Sequence, residues 1–307
     1  MIKATILHNP AAGQGETSRQ ELTQMIVTAG FECSYSSTKE NSRENIVSKD
    51  TDFIVLAGGD GTVRKIAAEL LDRNVLDKKL PIGLLPLGTA NNIAKTLGLS
   101  GDTPQIIKGW RGATAIKFDV GTISGLPRPN FFLESFGYGL FPMLMKQMKK
   151  QKRNDIDDPA RKIEVALQLL HQLVRSATAR GCHVEIDGKD YAGKFLLIEV
   201  MNIRSIGPNL YLAPEADPSD GFFDVVIISE NQREALTAYI EKKILGQEVK
   251  FDFPVLRARN IRILWNGKHA HVDDEYHKID KPVKMQIEIR EGALDFLVPG
   301  NRLKAES

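Results

Sequence analysis

The sequence predicts an N-terminal three-layer α/β domain on a mostly parallel sheet, residues 1–122, followed by a mainly antiparallel β-sandwich domain, 123–307. Three observations carry that expectation. Up to about Val120, short apolar β-rich runs alternate with helix-like stretches, the pattern of strands joined by helical crossovers. The run Phe53-Ile54-Val55-Leu56-Ala57 is apolar at every position, as a strand covered on both faces of a parallel sheet must be. Beyond Val120, a loop crowded with Gly121, Gly125, Pro127 and Pro129 gives way to alternating apolar and polar runs, the signature of antiparallel sandwich strands.

In chain order, Ala4 to His8 reads as the first strand. Ser18-Arg19-Gln20-Glu21 has the spacing of a capping box, opening a helix that ends at Gly30. Strands are expected at Glu32 to Ser36, Phe53 to Ala57 and Ile82 to Leu85, and helices at Val63 to Leu71 and Ile93 to Leu97. In the second half, alternation marks strands at Tyr191 to Met201, Phe223 to Ile228, Arg257 to Trp265, Val283 to Arg290 and Ala293 to Val298. Asp187-Gly188 and Asn266-Gly267 are hairpin signals. Two helices interrupt the strands, Pro159 to Ala179 and Gln232 to Leu245, the latter opened by Asn231 three residues before Glu234. The C-terminal end is expected to pack back on the first domain.

Composition narrows the function classes. The 307 residues carry 41 Lys and Arg against 39 Asp and Glu, and this near balance argues against a general nucleic-acid binder. Cys33 and Cys182 fit neither a disulfide framework nor a metal cluster, which suits a reducing, cytoplasmic compartment. The start, MIKATILHNP, does not read as a secretory signal. Apolar runs such as Phe195 to Met201 fall well short of the ~20 residues a membrane-spanning helix needs.

The strongest local signal is Gly58-Gly59-Asp60-Gly61-Thr62, directly after a buried strand and directly before a helix. Glycines at that density let the backbone approach a phosphate, and the helix aims its first amides at the anion. Asp60 would repel a bare phosphate, so it suits Mg²⁺, a water on that ion, or a hydroxyl; the bland reading is a tight turn with Asp60 as a cap. Asn9-Pro10-Ala11-Ala12-Gly13-Gln14-Gly15 and Pro86-Leu87-Gly88-Thr89-Ala90-Asn91-Asn92 are loops of the same kind. All three leave the carboxyl ends of parallel strands, where ligands sit, and together they read as one nucleotide site. Downstream, Asp217 and Asp220 bracket a turn in Leu212 to Gly221, offering hard oxygen ligands or simply a solvated Asp-Pro turn. In Val272-Asp273-Asp274-Glu275 an extended chain would turn Asp273 and Glu275 to one face, where two close carboxylates can supply a general base; an acidic surface hairpin is the alternative.

This ordered set resembles the diacylglycerol kinase catalytic-domain family, in its soluble bacterial lipid kinase form, with sphingosine and ceramide kinases as more distant relatives. The match runs over almost the whole chain. The resemblance implies a fold similar to the NAD kinase and phosphofructokinase group, with ATP and Mg²⁺ as cofactors. It assigns the nucleotide to Asn9, Pro10, Ala11, Ala12, Gly13, Thr38, Gly58, Gly59, Asp60, Gly61, Thr62, Arg64, Gly88, Thr89 and Asn91. It places a structural Mg²⁺ at Asp217, Asp220 and the carbonyl of Phe222, and gives the lipid-hydroxyl proton to Asp273 and Glu275 jointly, with Asp60 organising the catalytic ion. The chain departs from the pattern at Asn92, where the family usually has Asp, at Asp274, where it usually has Gly, and at Gln14 and Glu16, where a basic residue is frequent. The implied activity is phosphoryl transfer from ATP to a lipid hydroxyl, of diacylglycerol or a related lipid. The alternatives are an NAD kinase-like enzyme, which shares Gly-Gly-Asp-Gly, and a non-catalytic nucleotide-binding or membrane-associated regulatory relative.

The implied partners are a lipid at a membrane surface, no nucleic acid, and a second copy of the chain. Met143 to Arg153 joins flexible apolar side chains to five basic residues, which suits reversible contact with an anionic surface or, alternatively, a solvated helix with a Met-rich packing face. The six histidines show no metal-ligand spacing, and His269 and His271 share a strand face in a structural role.

Overall fold

The computed structural model describes residues 1–12, 17–38, 48, 50–72, 79–126, 130–151 and 158–299. Gly13, Gln14, Gly15, Glu16, Pro127, Pro129, Lys152, Arg153 and residues 300–307 lie outside the described residues. The chain forms two compact units, Met1–Phe118 together with Glu291–Ser307, and Asp119–Arg290.

The first unit contains β1 (Lys3–His8), α1 (Arg19–Thr28), β2 (Glu32–Ser37), β3 (Phe53–Gly58), α2 (Asp60–Leu71), β4 (Ile82–Pro86), α3 (Asn92–Thr96) and α4 (Thr103–Gly109). The capping box forms as read, with Ser18 Oγ accepting from the Glu21 amide at 3.2 Å and Glu21 accepting from the Ser18 amide at 2.7 Å. Strands β2, β1, β3 and β4 pair in parallel in that spatial order. Phe53, Val55 and Ala57 pack with Leu22 and Ile26 of α1, Ile106 and Ile107 of α4, and Trp110. Ile54 and Leu56 are also fully buried, so β3 is covered on both faces, as its unbroken apolar run requires. The strand order reverses between β1 and β3, and an open α/β sheet binds ligands at that switch point.

The chain leaves this unit along β5 (Ala113–Ser124). The second unit then contains β6 (Phe131–Phe132), β7 (Ser135–Gly139), α5 (Leu140–Met148), α6 (Pro159–Ser176), β8 (Arg180–Ile186), β9 (Lys189–Met201), β10 (Phe223–Ser229), α7 (Arg233–Ile244), β11 (Val255–Ala258), β12 (Asn260–Trp265), β13 (His269–Val272) and β14 (Glu275–Lys278); β15 (Lys284–Pro299) follows. Pairing here is antiparallel: β14, β13, β7, β9, β8 and β12 lie side by side, and β10 adds β11 alongside β9. From Phe195 to Met201, strand β9 buries both faces. Ile198 and Val200 enter a core of strand residues, while Leu197 and Met201 enter a second core with Leu144 of α5, Leu170 of α6 and Ile240 of α7.

Four local expectations are corrected. Arg257 to Trp265 is two strands, because the Asp187 carboxylate accepts the amides of Arg259 (3.1 Å) and Asn260 (2.8 Å), turning the chain from β10 to β8. Conversely, Val283 to Arg290 and Ala293 to Val298 are one strand, β15, which passes through Gly292 at φ 53°. Asn266-Gly267 makes no hairpin; Trp265 folds its ring over Gly267, and the tight turn is Asp273-Asp274, joining β13 to β14 with Val272 opposite Glu275. Helix α7 is preceded by a capping box of Ser229 with Gln232 rather than one of Asn231 with Glu234. No helix among the described residues is long and apolar enough to cross a membrane.

Candidate functional site

The three glycine-bearing loops of the first unit leave the carboxyl ends of β1, β3 and β4. They are tied to one another through both main chain and side chains. A Cβ on Gly59 would lie 2.9 Å from the Cα of Gly88, so the second and third loops meet backbone to backbone. The Leu87 amide donates to the Gly58 carbonyl at 3.0 Å. Asn9 Nδ2 donates to Thr62 Oγ1 at 3.2 Å, and the Asn9 side chain accepts the Ala11 amide at 3.2 Å. Asn91 takes φ 51° and closes the third loop on itself, accepting the Gly88 amide at 2.9 Å and donating to the carbonyls of Pro86 (3.1 Å) and Gly88 (2.7 Å).

Asp60 does not cap its own helix, whose N-cap is Gly59. Its carboxylate accepts the amides of Asn92 at 2.9 Å and Ile93 at 3.2 Å, fastening the start of α3 to the start of α2. Helix α2 begins at Gly59 with no side-chain cap; its Thr62 amide donates to the Gly59 carbonyl at 2.8 Å, and the positive end of the helix dipole lies at this point of the loop. Thr62 and Arg64 are buried, Thr89 is exposed, and the Thr38 amide donates to the His8 carbonyl at 3.0 Å. Pro10 and Ala11 are exposed and Ala12 is half-buried at the rim of the first loop. Gly13 lies outside the described residues.

In the second unit, Asp217 accepts both the amide (2.9 Å) and the hydroxyl (2.6 Å) of Ser219. Asp220 accepts the Phe222 amide at 2.9 Å and pairs with Arg257. Arg257 and Arg259 lie on the Phe222 ring at 4.2 and 4.8 Å, and Arg259 Nε donates to the Gly221 carbonyl at 2.9 Å. The buried Asp119 completes the clamp by accepting the Gly221 amide at 2.8 Å. Asp224 sits beside this turn, and burial, then the charges of Asp220 and Glu215, push its carboxyl up to about 6.

The acidic turn differs from the same-face expectation. Asp273 is not in the strand but in the turn, at φ 50°, and it is Asp273 rather than Asp274 that takes left-handed geometry. Its side chain is buried: Oδ1 accepts the amides of Leu133 (3.1 Å), Glu134 (2.8 Å) and Ser135 (3.2 Å). Glu275 is exposed, 3.7 Å from His277 Nε2. One carboxylate therefore anchors the turn and the other faces solvent.

Sequence reasoning missed the groups beneath that turn. Glu199 and His271 are both 0% exposed, with His271 Nε2 2.8 Å from Glu199 Oε2. Burial pushes the Glu199 carboxyl upward. Burial pulls His271 down, but Glu199 and the Asp273 carbonyl outweigh it and hold the imidazole above its ordinary value. The available signal was a lone Glu inside the apolar run Leu196-Leu197-Ile198-Glu199-Val200-Met201, because a buried carboxyl needs a partner. Of the Met-rich stretch, Met143 and Met148 pack against the helical core, while Lys146, Lys149 and Lys150 are exposed.

Comparison with known proteins covers nearly all of the chain. Residues 3–123 match the family model of the diacylglycerol kinase catalytic domain, and residues 146–298 match that of the YegS C-terminal NAD kinase beta sandwich-like domain. A diacylglycerol kinase of Bacillus subtilis is 25% identical over 98% of this chain and 92% of its own. One from Staphylococcus carnosus is 24% identical over 89% of each. Among solved structures, a diacylglycerol kinase from Bacillus anthracis superposes with a TM-score of 0.72 at 22% identity, over 97% of both chains. An NAD kinase from Archaeoglobus fulgidus in complex with ATP gives 0.54 at 14% identity, over 99% of this chain and 97% of that one. These likenesses bear out the N-terminal α/β fold with its NAD kinase-like relatives and the C-terminal β-sandwich.

Proposed function

Since the chain belongs to the bacterial diacylglycerol kinase-like family of lipid kinases, we propose that it transfers the γ-phosphoryl group of ATP to the hydroxyl of a lipid, diacylglycerol or a close relative. The observation that carries this reading is the backbone contact of Gly59 with Gly88 at the start of α2, a helix end with no side-chain cap, where a phosphate would meet the positive end of the helix dipole. Asn9 and Asn91 hold their loops in shape around that point, and Asp60 keeps the third loop in register with the second. Such a site catalyses by positioning and by charge stabilisation rather than by covalent chemistry.

Mg²⁺ would neutralise charge on the transferred group. Asp60 has the hard oxygen chemistry to approach that ion, and Asp217, Asp220 and the Phe222 carbonyl would hold a structural one. The oxygen donors of that second set suit Mg²⁺, but Asp220 already meets Arg257, so an ion there competes with a guanidinium. The lipid hydroxyl gives up its proton at the acidic turn. Asp273 and Glu275 share this task unequally: Asp273 holds the turn, and the exposed Glu275 is the carboxylate with room to reach a substrate. Lys146, Lys149 and Lys150 at the end of α5 provide reversible attraction to an anionic bilayer, each contributing ~1 kcal/mol near the surface.

The test is transfer of labelled phosphate from ATP across a panel of lipids, with NAD assayed beside them. Label in the lipid fraction, dependent on Mg²⁺, is the expected outcome. Transfer to NAD with none to any lipid would overturn the reading.

A further inference from the structure

Strands β9, β7 and β13 lie side by side, and Glu199, Gly137 and His271 form one row across them, Glu199 opposite Gly137 and Gly137 opposite His271. Residues directly opposite in a sheet project to the same face. The middle position carries no side chain, and a Cβ there would run into the Glu199 carboxyl. The gap left by Gly137 lets a carboxyl and an imidazole from the two outer strands meet at 2.8 Å, with both residues wholly buried.

The second imidazole nitrogen shows what the pair holds. His271 Nδ1 is 2.9 Å from the carbonyl oxygen of Asp273. A carbonyl only accepts, so Nδ1 carries a proton, and Nε2 and Glu199 Oε2 share one more. The Asp273 amide donates to the Ser135 carbonyl at 2.8 Å, and its carboxylate accepts the amides of Leu133, Glu134 and Ser135. His271 thus fixes the remaining polar group of a residue held at φ 50°. A well-packed apolar pair is commonly as stable as a buried ionisable one, or more so. Stability alone therefore does not account for Glu and His in this row, whereas the orientation of the Asp273 carbonyl does.

We propose that Glu199 and His271 are positioning residues for the acidic turn, setting the direction in which it presents its carboxylates; this rests on the reading of that turn as the place where the lipid hydroxyl gives up its proton. The pair makes its contribution through Asp273, without touching substrate.

The experiment compares the wild type with Glu199→Gln and with the double variant Glu199→Leu/His271→Leu. Gln keeps a hydrogen bond, since its amide donates to the unprotonated Nε2, and kcat should stay within about threefold of wild type. The double variant keeps the packing but removes the donor to the Asp273 carbonyl. It should melt as the wild type does, lose at least about tenfold in kcat, and keep its KM for ATP within about twofold. A folded double variant with wild-type kcat overturns the proposal, as does a loss in Glu199→Gln as large as that in the double variant. If the wild type phosphorylates no lipid, the functional reading fails by itself, and positioning is then judged by amide exchange. At Leu133 to Ser135 the double variant should exchange at least about tenfold faster than wild type, and unchanged exchange there overturns positioning.

Discussion

The glycine loops of the first unit and the acidic turn of the second share one device, a carboxylate on backbone amides, and differ in what lies beside it. In the loops it is main-chain contact, Gly59 against Gly88, with Asn9 bonding across to Thr62 and Asp60 across to Asn92 and Ile93. The turn is joined by side chains, a buried carboxylate on three amides and a buried imidazole on a carbonyl. Where backbone meets backbone neither partner can swing aside, whereas at the acidic turn two carboxylates take different roles. Substitutions can test that contrast.

The largest effect is expected in the loops. Gly59→Ala forces a Cβ to 2.9 Å from the Gly88 Cα, and backbone cannot swing aside as a side chain can. Displacing a phosphate-positioning loop by about 1 Å costs on the order of 100-fold in rate. We expect kcat/KM for ATP to fall at least that far. Near-wild-type kinetics would mean that the loops adjust independently, and the contrast with the acidic turn would be lost.

The second test separates the two carboxylates of the turn. Asp273→Asn keeps the shape but offers one accepting oxygen and two unwanted donors to the amides of residues 133–135. Leaving buried groups unsatisfied costs about 1–3 kcal/mol, so both melting temperature and activity should fall. Glu275→Gln changes an exposed residue, so its melting temperature should be unchanged while kcat drops by roughly 10²-fold, the scale of general-base catalysis. Equal thermal losses in the two variants would erase the division of roles.

The same contrast explains what was legible in the sequence. The closure of Asn91 on Gly88 and the Ser18 capping box are complete within a few residues, and Gly58 to Thr62 marks a strand passing directly into a helix, so each was legible by itself; their contact with one another was not. The covered strand β3 was legible because burial on both faces demands an unbroken apolar run. The partners of Asp273 were not legible, since Leu133 to Ser135 lie about 140 positions earlier along the chain. Nothing in Val272-Asp273-Asp274-Glu275 says which carboxylate turns inward. The split between β11 and β12 was hidden for the same reason: the residue that redirects the chain is Asp187, in another hairpin. Glu199 carried a signal that sequence reasoning missed, a charge in an apolar run, and His271 reads there only as a structural strand residue.

The last expected effect, on stability alone, concerns a carboxylate that neither anchors a turn nor faces solvent. Asp224 is buried, its carboxyl is raised to about 6, and the causes are burial first and then Asp220 and Glu215, partly offset by Arg257. Its folded value lies above the 3.8 it starts from, so between about pH 4 and pH 6 the folded chain holds a proton that the unfolded chain has lost. This contribution to stability is complete below the unfolded value and disappears as pH rises through the folded one. Asp224→Asn cannot ionise, so it should match the wild type near pH 4 and exceed it at pH 7 by roughly 1–3 kcal/mol. Denaturant melts in EDTA at the two pH values check this, with metal excluded so that only protein charges act on the group. A variant less stable than wild type at pH 7 would mean that Asp224 is stabilised as a carboxylate. It would then be an anchor like Asp273, and anchoring in the second unit would extend from the acidic turn to the Asp217–Phe222 turn as well.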